Sequence, residues 1–153
     1  MDTLTATDVM SPHVQSIEPT RTIADAANMM ADFDVGVLPV IDHGELVGIV
    51  TDRDLAVRGF APGIHAGSPV LRVMSPHVET CQEEDELDTV LEAMSDQQVR
   101  RMPVCSSSGD VIGMISIGDL ARRDPDKDEV TETLGQICRP SGLHCQGAHA
   151  TPA

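Results

Sequence analysis

The feature that most constrains this chain is an internal repeat with a period of about 64 residues. The phrase Val9-Met10-Ser11-Pro12-His13-Val14 returns unchanged at residues 73–78, and Leu38-Pro39-Val40 returns as Met102-Pro103-Val104. A third phrase, residues 48–56, matches residues 113–121 with one extra residue in the intervening loop. Several phrases in one order, with the length change in a loop, indicate two copies of one small unit.

Each copy shows the same succession of apolar runs and turn residues, which predicts the element order β-α-β-β-α twice. For the first copy we expect a strand at 14–17, a helix at 23–33 capped by Thr22, a hairpin of strands 37–41 and 46–50, and a helix from Thr51 to about residue 59. For the second copy we expect a helix at 86–96, a hairpin of strands 101–105 and 111–115, and a helix at 117–123 capped by Ser116. The predicted fold class is mixed α/β (α+β), because each repeat contains both an antiparallel hairpin and helices.

The repeat also sets the expected domain boundaries. We predict a first repeat at 7–60, a linker at 61–72 with a short helical turn after Ser68-Pro69, a second repeat at 73–123, a helical appendage at 124–142 with a helix at 129–138, and a flexible tail at 143–153. A copy of about 55 residues buries too little apolar surface to be stable alone. We therefore expect the two sheets to pack against each other around one shared core.

Charge and cysteine content limit the classes of partner and the compartment. The formal net charge of −15 repels phosphate backbones, which argues against nucleic acid or an anionic membrane as the main partner. No run approaches the 18 apolar residues of a membrane span, and the first residues lack the pattern of a signal peptide. The four cysteines form no CxxC pair, and Cys81 and Cys105 lie in apolar contexts. We expect a cytoplasmic protein with reduced cysteines.

Two strand-to-helix turns carry the chemistry that the sequence offers. Thr51 and Asp54 stand three residues apart after the first hairpin, and Ser116 and Asp119 stand in the same way after the second. A helix start presents free N–H groups that suit a phosphate, and a carboxylate can accept hydrogen bonds from both hydroxyls of a ribose. A single Ser/Thr-x-x-Asp is most often a helix cap and nothing more. The duplicated context favours a pair of ribose-phosphate sites, with Arg53 beside the first.

These phrases together resemble a tandem pair of CBS domains (cystathionine-β-synthase domains), known as a Bateman module. The resemblance rests on Val-Met-Ser-Pro at the entrance, Leu-Pro-Val or Met-Pro-Val in the middle, and Gly-Ile-Val-Thr-Asp-Arg-Asp or Gly-Met-Ile-Ser-Ile-Gly-Asp at the end. It covers residues 7–123. The whole chain is similar to small stand-alone bacterial CBS-pair proteins of the hypoxic response type.

The resemblance implies sensing rather than catalysis. Such pairs bind adenine nucleotides (AMP, ADP, ATP or NAD) or S-adenosylmethionine in clefts between the repeats, and AMP is the ligand we favour. The implied ligand contacts at the two turns are Thr51, Arg53, Asp54, Ser116 and Asp119. The implied contacts to the base and remaining groups are Ser16, Val35, Val37, Leu38, Thr80, Val99, Arg100, Arg101 and Met102. The resemblance also implies a homodimer that signals to a separate, unknown protein effector.

Three alternatives stay open from the sequence. The chain could be a nucleotide-free stress-response or protein-interaction module, in which both turns are caps only. One cleft could be occupied rather than two, because Gly118 stands where the first turn has Arg53. A zinc ion could gather Cys138, His144, Cys145 and His149, but their spacing fits no standard zinc pattern. We expect no metal, and no catalytic nucleophile–base pair or phosphate-binding Gly-rich loop can be assembled.

Overall fold

The computed structural model describes residues 3–123 together with residues 128, 131 and 132. These form two compact units. Residues 15–78 are called the first-repeat unit, and residues 3–14 with those from 79 onward are called the second-repeat unit. The tail predicted at 143–153, and nearly all of the helix predicted at 129–138, lie outside the described residues.

Thirteen elements are assigned in the described residues. In chain order they are α1 (Ala6–Val9), β1 (Ser11–Pro12), α2 (Ile23–Phe33), β2 (Val37–Asp42), β3 (Glu45–Thr51), α3 (Asp52–Asp54), a π-helical turn (Leu55–Phe60), a 3-10 turn (Val70–Arg72), β4 (Cys81–Gln82), α4 (Leu87–Gln97), β5 (Arg101–Cys105), β6 (Val111–Ser116) and α5 (Ile117–Arg123). The mixed α/β class predicted from the sequence is confirmed.

The second-repeat unit contains a four-stranded sheet in the order β1-β6-β5-β4. β5 and β6 form the predicted antiparallel hairpin, with Arg101 opposite Ser116. β4 pairs with β5 in parallel, and α4 is the crossover helix that such a connection requires. β1 pairs antiparallel with the outer edge of β6.

The first-repeat unit repeats this order with shorter outer strands. β2 and β3 form its hairpin, with Val37 opposite Thr51. A parallel bridge joins Ile17 to Val40, and an antiparallel bridge joins Ser75 to Ile49. The strand predicted at 14–17 is therefore reduced to one bridge at Ile17, because its backbone makes only two hydrogen bonds to β2 before Pro19.

The repeated phrase does not lie on the hairpin of its own repeat. Ser11 of the first copy pairs with Met114 of the second hairpin, and Ser75 of the second copy pairs with Ile49 of the first hairpin. Each compact unit thus combines one hairpin with the opening phrase of the other repeat. A sequence repeat and a compact unit are different segments of this chain.

The helix α2 begins where the sequence predicts. Thr22 accepts a hydrogen bond from the backbone N–H of Asp25, and the Asp25 carboxylate accepts one from the N–H of Thr22. The N–H groups of Ile23 and Ala24 donate to the carbonyls of Ser68 and Ala66. The segment predicted as a linker at 61–72 therefore accepts hydrogen bonds from N–H groups in the first turn of α2, which have no partner within the helix.

The helix predicted from Thr51 to about residue 59 is confirmed in position but differs in type. It starts as α3 and continues as the π-helical turn, in which Ala61 donates to the carbonyl of Ala56 five residues earlier. The corresponding element of the second repeat, α5, is α-helical. π-helical turns are rare in proteins, and many of those that do occur lie at functional sites.

The buried apolar side chains form one cluster in each compact unit. Leu38, Val40, Val50, Val70 and Val73 belong to the cluster of the first-repeat unit. The cluster of the second-repeat unit is built in the same way from aliphatic residues, including Leu91, Met94, Met102, Val104 and Ile115. The phrase from the other repeat and the segment at 61–72 supply the apolar residues that one sequence repeat alone lacks.

Gly48 is a position in β3 where the returning phrase packs closely against the strand. A Cβ atom at residue 48 would lie 2.7 Å from the Met74 sulfur and 2.8 Å from the carbonyl oxygen of Ser75. The backbone oxygen cannot move without breaking the Ile49–Ser75 bridge. We predict that Gly48→Ala lowers the free energy of unfolding by about 1–3 kcal/mol, the usual cost of overpacking.

Urea unfolding followed by circular dichroism measures this difference. Gly118→Ala is the matched control, because the nearest atom to its Cβ is the Ser116 hydroxyl at 3.7 Å and the position is helical. The control should stay within about 1 kcal/mol of the native protein or exceed it. Equal stability losses in the two variants would contradict the close packing at Gly48.

Candidate functional site

The first strand-to-helix turn joins β3 to α3 through two reciprocal hydrogen bonds. The backbone N–H of Thr51 donates to Asp54 Oδ2 at 2.9 Å, and the N–H of Asp54 donates to Thr51 Oγ1 at 3.1 Å. Thr51 is 1% exposed and Asp54 is 2% exposed. The predicted pair is therefore a complete capping box, and it is buried.

The capping box of α2 shows what burial adds. Thr22 and Asp25 make the same two hydrogen bonds, but Asp25 is half-buried and its pKa is lowered, mainly by the backbone hydrogen bond from Thr22. Burial instead raises the pKa of Asp54 to about 6, against the opposing effects of Thr51, Arg58 and Arg53. A carboxylate whose burial disfavours its charge is a common mark of a functional site. The two capping boxes share their geometry, but only the Thr51–Asp54 box contains a carboxylate with a raised pKa.

Two arginines lie near the buried carboxylate. Arg58 NH1 is 3.9 Å from Asp54 Oδ1, a distance that makes an ion pair without a hydrogen bond. Arg53 is exposed, and its backbone N–H donates to Asp52 Oδ1. The first turn therefore combines a buried acceptor, a buried hydroxyl and an exposed cation.

The second turn has the same bonds in a more open setting. The N–H of Ser116 donates to Asp119 Oδ2 at 3.0 Å, and the N–H of Asp119 donates to Ser116 Oγ at 3.1 Å. The Asp119 side chain is 12% exposed and pairs through Oδ1 with Arg122, which is 77% exposed. The two turns are alike in hydrogen bonding and unlike in burial.

The other predicted contacts fall into two groups by exposure. Those on the surface, wholly or in part, are Ser16, Val35, Thr80, Arg100 and Arg101. Those with buried side chains are Val37, Leu38, Val99 and Met102. The side chains of Leu38 and Met102 are fully enclosed in their clusters, so a ligand would reach these two residues through their main chain. Their roles as ligand contacts stay predictions.

A cleft of about 570 Å³ opens in the first-repeat unit near the β2–β3 turn. Ser16, Arg21, Asp42 and His43 are among the residues that line it. Of the predicted contacts in the described part of the chain, Ser16 alone lines this cleft. Neither Thr51 nor Asp54 is among the residues that line this cleft.

Arg58 and Ser75 are polar residues of the first turn's surroundings that the sequence did not single out. Arg58 NH1 donates to the carbonyl of Met74 at 3.2 Å and to the hydroxyl of Ser75 at 3.3 Å. Ser75 is fully buried. The available signals were the spacing of Arg58, four residues after Asp54, and the recurrence of Ser75 in the repeated phrase.

Two further features concern metals and membranes. Within the described part of the chain, no group of three or more histidine, cysteine or acidic side chains could hold a metal ion. Cys138, His144, Cys145 and His149, considered as zinc ligands from the sequence, lie outside that part. No described helix is long and apolar enough to cross a membrane.

Comparison with known proteins gives consistent matches over most of the chain. A family model described as CBS domain matches residues 6–58 and again residues 70–126. The CBS domain-containing protein YhcV of Bacillus subtilis is 32% identical over 130 residues, which are 85% of this chain and 92% of that protein. Hypoxic Response Protein I, crystallised with two coordinated zinc ions, has a TM-score of 0.72 at 30% identity and covers 80% of this chain and 100% of its own.

Two similar solved structures contain adenosine-based ligands. The CBS domain pair of protein MJ0100, in complex with 5′-methylthioadenosine and S-adenosyl-L-methionine, has a TM-score of 0.70 at 26% identity, over 79% of this chain and 95% of that one. CBSX2, in complex with AMP, has a TM-score of 0.66 at 26% identity, over 88% of this chain and 98% of that one.

The raised pKa of Asp54 makes a prediction about stability and pH. The native pKa of about 6 lies above the ordinary aspartate pKa of 3.8 that we take for the unfolded chain, so the native state holds the extra proton between these two pH values. This group therefore lowers the free energy of unfolding as pH rises from about 4 to about 6, by on the order of 2–3 kcal/mol. Asp54→Asn keeps an oxygen for Thr51 and has no charge, so it should be more stable than the native protein at neutral pH and equal to it near pH 4.

Urea unfolding across this pH range tests the sign. Asp25→Asn is the matched control in a box of the same geometry, and its behaviour should be opposite. The pKa of Asp25 is lowered, so its contribution is present above the unfolded pKa and lost as pH falls. Asp25→Asn should therefore be less stable than the native protein at neutral pH. If Asp54→Asn is also the less stable variant at neutral pH, burial does not raise the pKa of Asp54.

Proposed function

The chain belongs to the CBS-domain family as a tandem pair, and from this premise we propose that it binds an adenine nucleotide at its two strand-to-helix turns and regulates a partner protein. The observation that carries the proposal is the buried carboxylate of Asp54, whose pKa of about 6 distinguishes it from the cap residue Asp25. The same hydrogen-bonded pair recurs at Ser116 and Asp119.

The proposed roles follow from the chemistry of each side chain. Asp54 and Asp119 accept hydrogen bonds from the ribose hydroxyls, and Thr51 and Ser116 face the phosphate. Arg53 is the cation for the phosphate at the first turn, as a charged donor to an anion. We propose that the base lies against Val35, Val37 and Leu38 in one site and against Val99, Arg101 and Met102 in the other. Ser16, Thr80 and Arg100 complete the proposed contacts.

AMP is the ligand that we propose first. The bound ligands of CBSX2 and of the MJ0100 pair share an adenosine group, which is the part that a ribose-binding carboxylate would recognise. A protein with a net charge of −15 disfavours highly charged anions at long range, and AMP has fewer phosphates than ADP or ATP. NAD and S-adenosylmethionine are the remaining candidates.

We propose that the ligand acts by population shift rather than by turnover. An adenine nucleotide that binds one conformation of the pair better than another increases the population of that conformation, which a separate effector protein then recognises. Burial raises the pKa of the Cys81 thiol to about 12, so this cysteine is a poor nucleophile. Cys81 and Cys105 are both free, which agrees with a reducing compartment, and we propose the cytoplasm.

We further propose a homodimer through the helical segments that follow the two turns. Phe60, at the end of the π-helical turn, is 87% exposed, and Val57 on the same turn is 50% exposed. Large apolar side chains exposed together favour a protein partner. A second copy of the chain presents the same residues, as a two-fold interface requires.

The nucleotide proposal predicts that Asp54→Ala and Asp119→Ala each weaken AMP binding at one site by about 10- to 100-fold, the effect of losing a hydrogen bond to a charged group. Isothermal titration calorimetry with AMP at neutral pH measures both variants. The matched control is Asp25→Ala, which removes a capping box of the same geometry away from both turns. It should lower stability and leave AMP affinity unchanged.

Two results would count against this function. Unchanged affinity in both turn variants would refute the ribose role of the carboxylates. A native protein whose melting temperature is not raised by AMP, ADP, ATP, NAD or S-adenosylmethionine at millimolar concentration would favour a nucleotide-free interaction module, because a ligand at 100 times its Kd should stabilise by about 2.7 kcal/mol.

The dimer proposal predicts that Phe60→Ser weakens self-association by about tenfold or more, since central aromatic residues dominate interface energies. Light scattering coupled to size-exclusion chromatography over a range of concentrations measures it. Phe33→Ser is the control, because Phe33 is also exposed but lies at the end of α2. A native protein that stays monomeric, or a Phe60→Ser variant as dimeric as the control, would overturn the proposed interface.

A further inference from the structure

Arg58 links the first strand-to-helix turn to the returning phrase of the other repeat. Its NH1 nitrogen lies 3.9 Å from Asp54 Oδ1, 3.2 Å from the carbonyl of Met74 and 3.3 Å from the hydroxyl of Ser75. The contacts to Met74 and Ser75 are hydrogen bonds, and the contact to Asp54 is a longer ion pair. One guanidinium nitrogen is thus shared between a buried carboxylate and a buried serine.

The Ser75 side of this link is rigid. The N–H of Ser75 donates to the carbonyl of Ile49 at 2.8 Å, and the N–H of Ile49 donates to the carbonyl of Ser75 at 2.9 Å. Ser75 is fully buried, and Gly48 leaves room for its backbone beside β3. A shift of Arg58 toward Asp54 would therefore stretch its bonds to residues 74 and 75 and leave that backbone in place.

The Asp54 side of the link is where charge matters. The groups that act on the charge of Asp54 are Thr51, through its two hydrogen bonds, and the cations Arg58 and Arg53. Arg53 is exposed, so solvent screens its effect, whereas the Arg58 side chain is about one-third exposed. Arg58 is thus the cation best placed to keep this carboxylate ionised.

We propose that Arg58 is a positioning residue that keeps Asp54 charged as a ligand acceptor and ties it to Ser75, on the segment through which the chain continues into the second-repeat unit. The ligand part of this inference rests on the proposed nucleotide function, and the electrostatic part does not. A hydroxyl ligand on Asp54 Oδ1 and the Arg58 guanidinium are neighbours at one carboxylate. Occupation of the turn therefore changes the balance between the ion pair of Arg58 with Asp54 and its hydrogen bonds to Met74 and Ser75.

The test measures the titration of Asp54 in the ligand-free full chain by carbon-detected NMR of its carboxyl group. Arg58→Met removes the opposing charge and should raise the titration midpoint by about one pH unit, at the low end of the effect of a charge at this distance. Arg58→Lys keeps the charge and should stay closer to the native midpoint. Ser75→Ala removes one of the two hydrogen bonds that hold the guanidinium away from Asp54, so Arg58 can move closer to the carboxylate and the midpoint should fall.

Arg122→Met is the control, because Arg122 pairs with Asp119 and is not among the charges that act on Asp54, so its removal should not move the Asp54 midpoint. An unchanged midpoint in folded Arg58→Met would overturn the proposal. If that variant does not fold, Ser75→Ala decides, and an unchanged or raised midpoint there would also overturn it. If Arg58 had only a structural role, its substitution would change stability, but the Asp54 titration midpoint would not rise in Arg58→Met and fall in Ser75→Ala.

AMP affinity gives the second measurement and separates the two proposals. A midpoint raised by one unit leaves about threefold less ionised Asp54 near pH 6.5 and almost no difference near pH 8.5. Arg58→Met should therefore bind AMP at the first turn about threefold more weakly at the lower pH and equally at the higher pH. If the native protein binds no AMP, the nucleotide function fails, and the NMR midpoints still decide the role of Arg58.

Discussion

The buried hydrogen-bonded pair of Thr51 and Asp54 is the interaction on which the first-repeat unit's candidate site depends. It ends β3, starts α3, and places a carboxylate with 2% exposure one helical turn before Arg58. The hydrogen bonds from Thr51 and the charges of the arginines stabilise the ionised form, but desolvation outweighs them. A residue that only caps a helix is better placed where water still reaches its carboxylate, as at the half-buried Asp25, because there the hydrogen bonds outweigh the desolvation.

The sequence identified this pair because its phrase recurs, not because of the Ser/Thr-x-x-Asp pattern itself. Thr22 and Asp25 show the same spacing and form the same capping box. The difference lies upstream: an apolar strand precedes Thr51, whereas Pro19, Thr20 and Arg21 precede Thr22. Burial and its effect on the pKa arise from tertiary packing around Asp54, which no local pattern encodes.

The helices and hairpins followed from periodicity and turn residues, and the helix predicted at 23–33 has the bounds of α2. The pairing of the repeated phrases could not be predicted in this way. Because residues 9–14 and 73–78 are identical, the sequence gives no reason to assign either copy to one hairpin edge. The prediction of a strand at 14–17 was wrong for a related reason, since a parallel outer strand is fixed by tertiary pairing more than by its own residues.

Exchange of the phrases gives the two turns different surroundings despite their common bonds. Ser75 is buried beside β3 and receives Arg58, whereas its counterpart Ser11 is exposed on β1. Asp119 in turn pairs with the exposed Arg122. At the first turn a ligand would meet the Asp54 carboxylate, whose neighbouring arginine, Arg58, is partly buried. At the second turn it would compete for the Asp119 carboxylate with Arg122, an arginine whose charge solvent already screens. Equal affinities for one ligand at the two turns would therefore require compensation elsewhere in the fold.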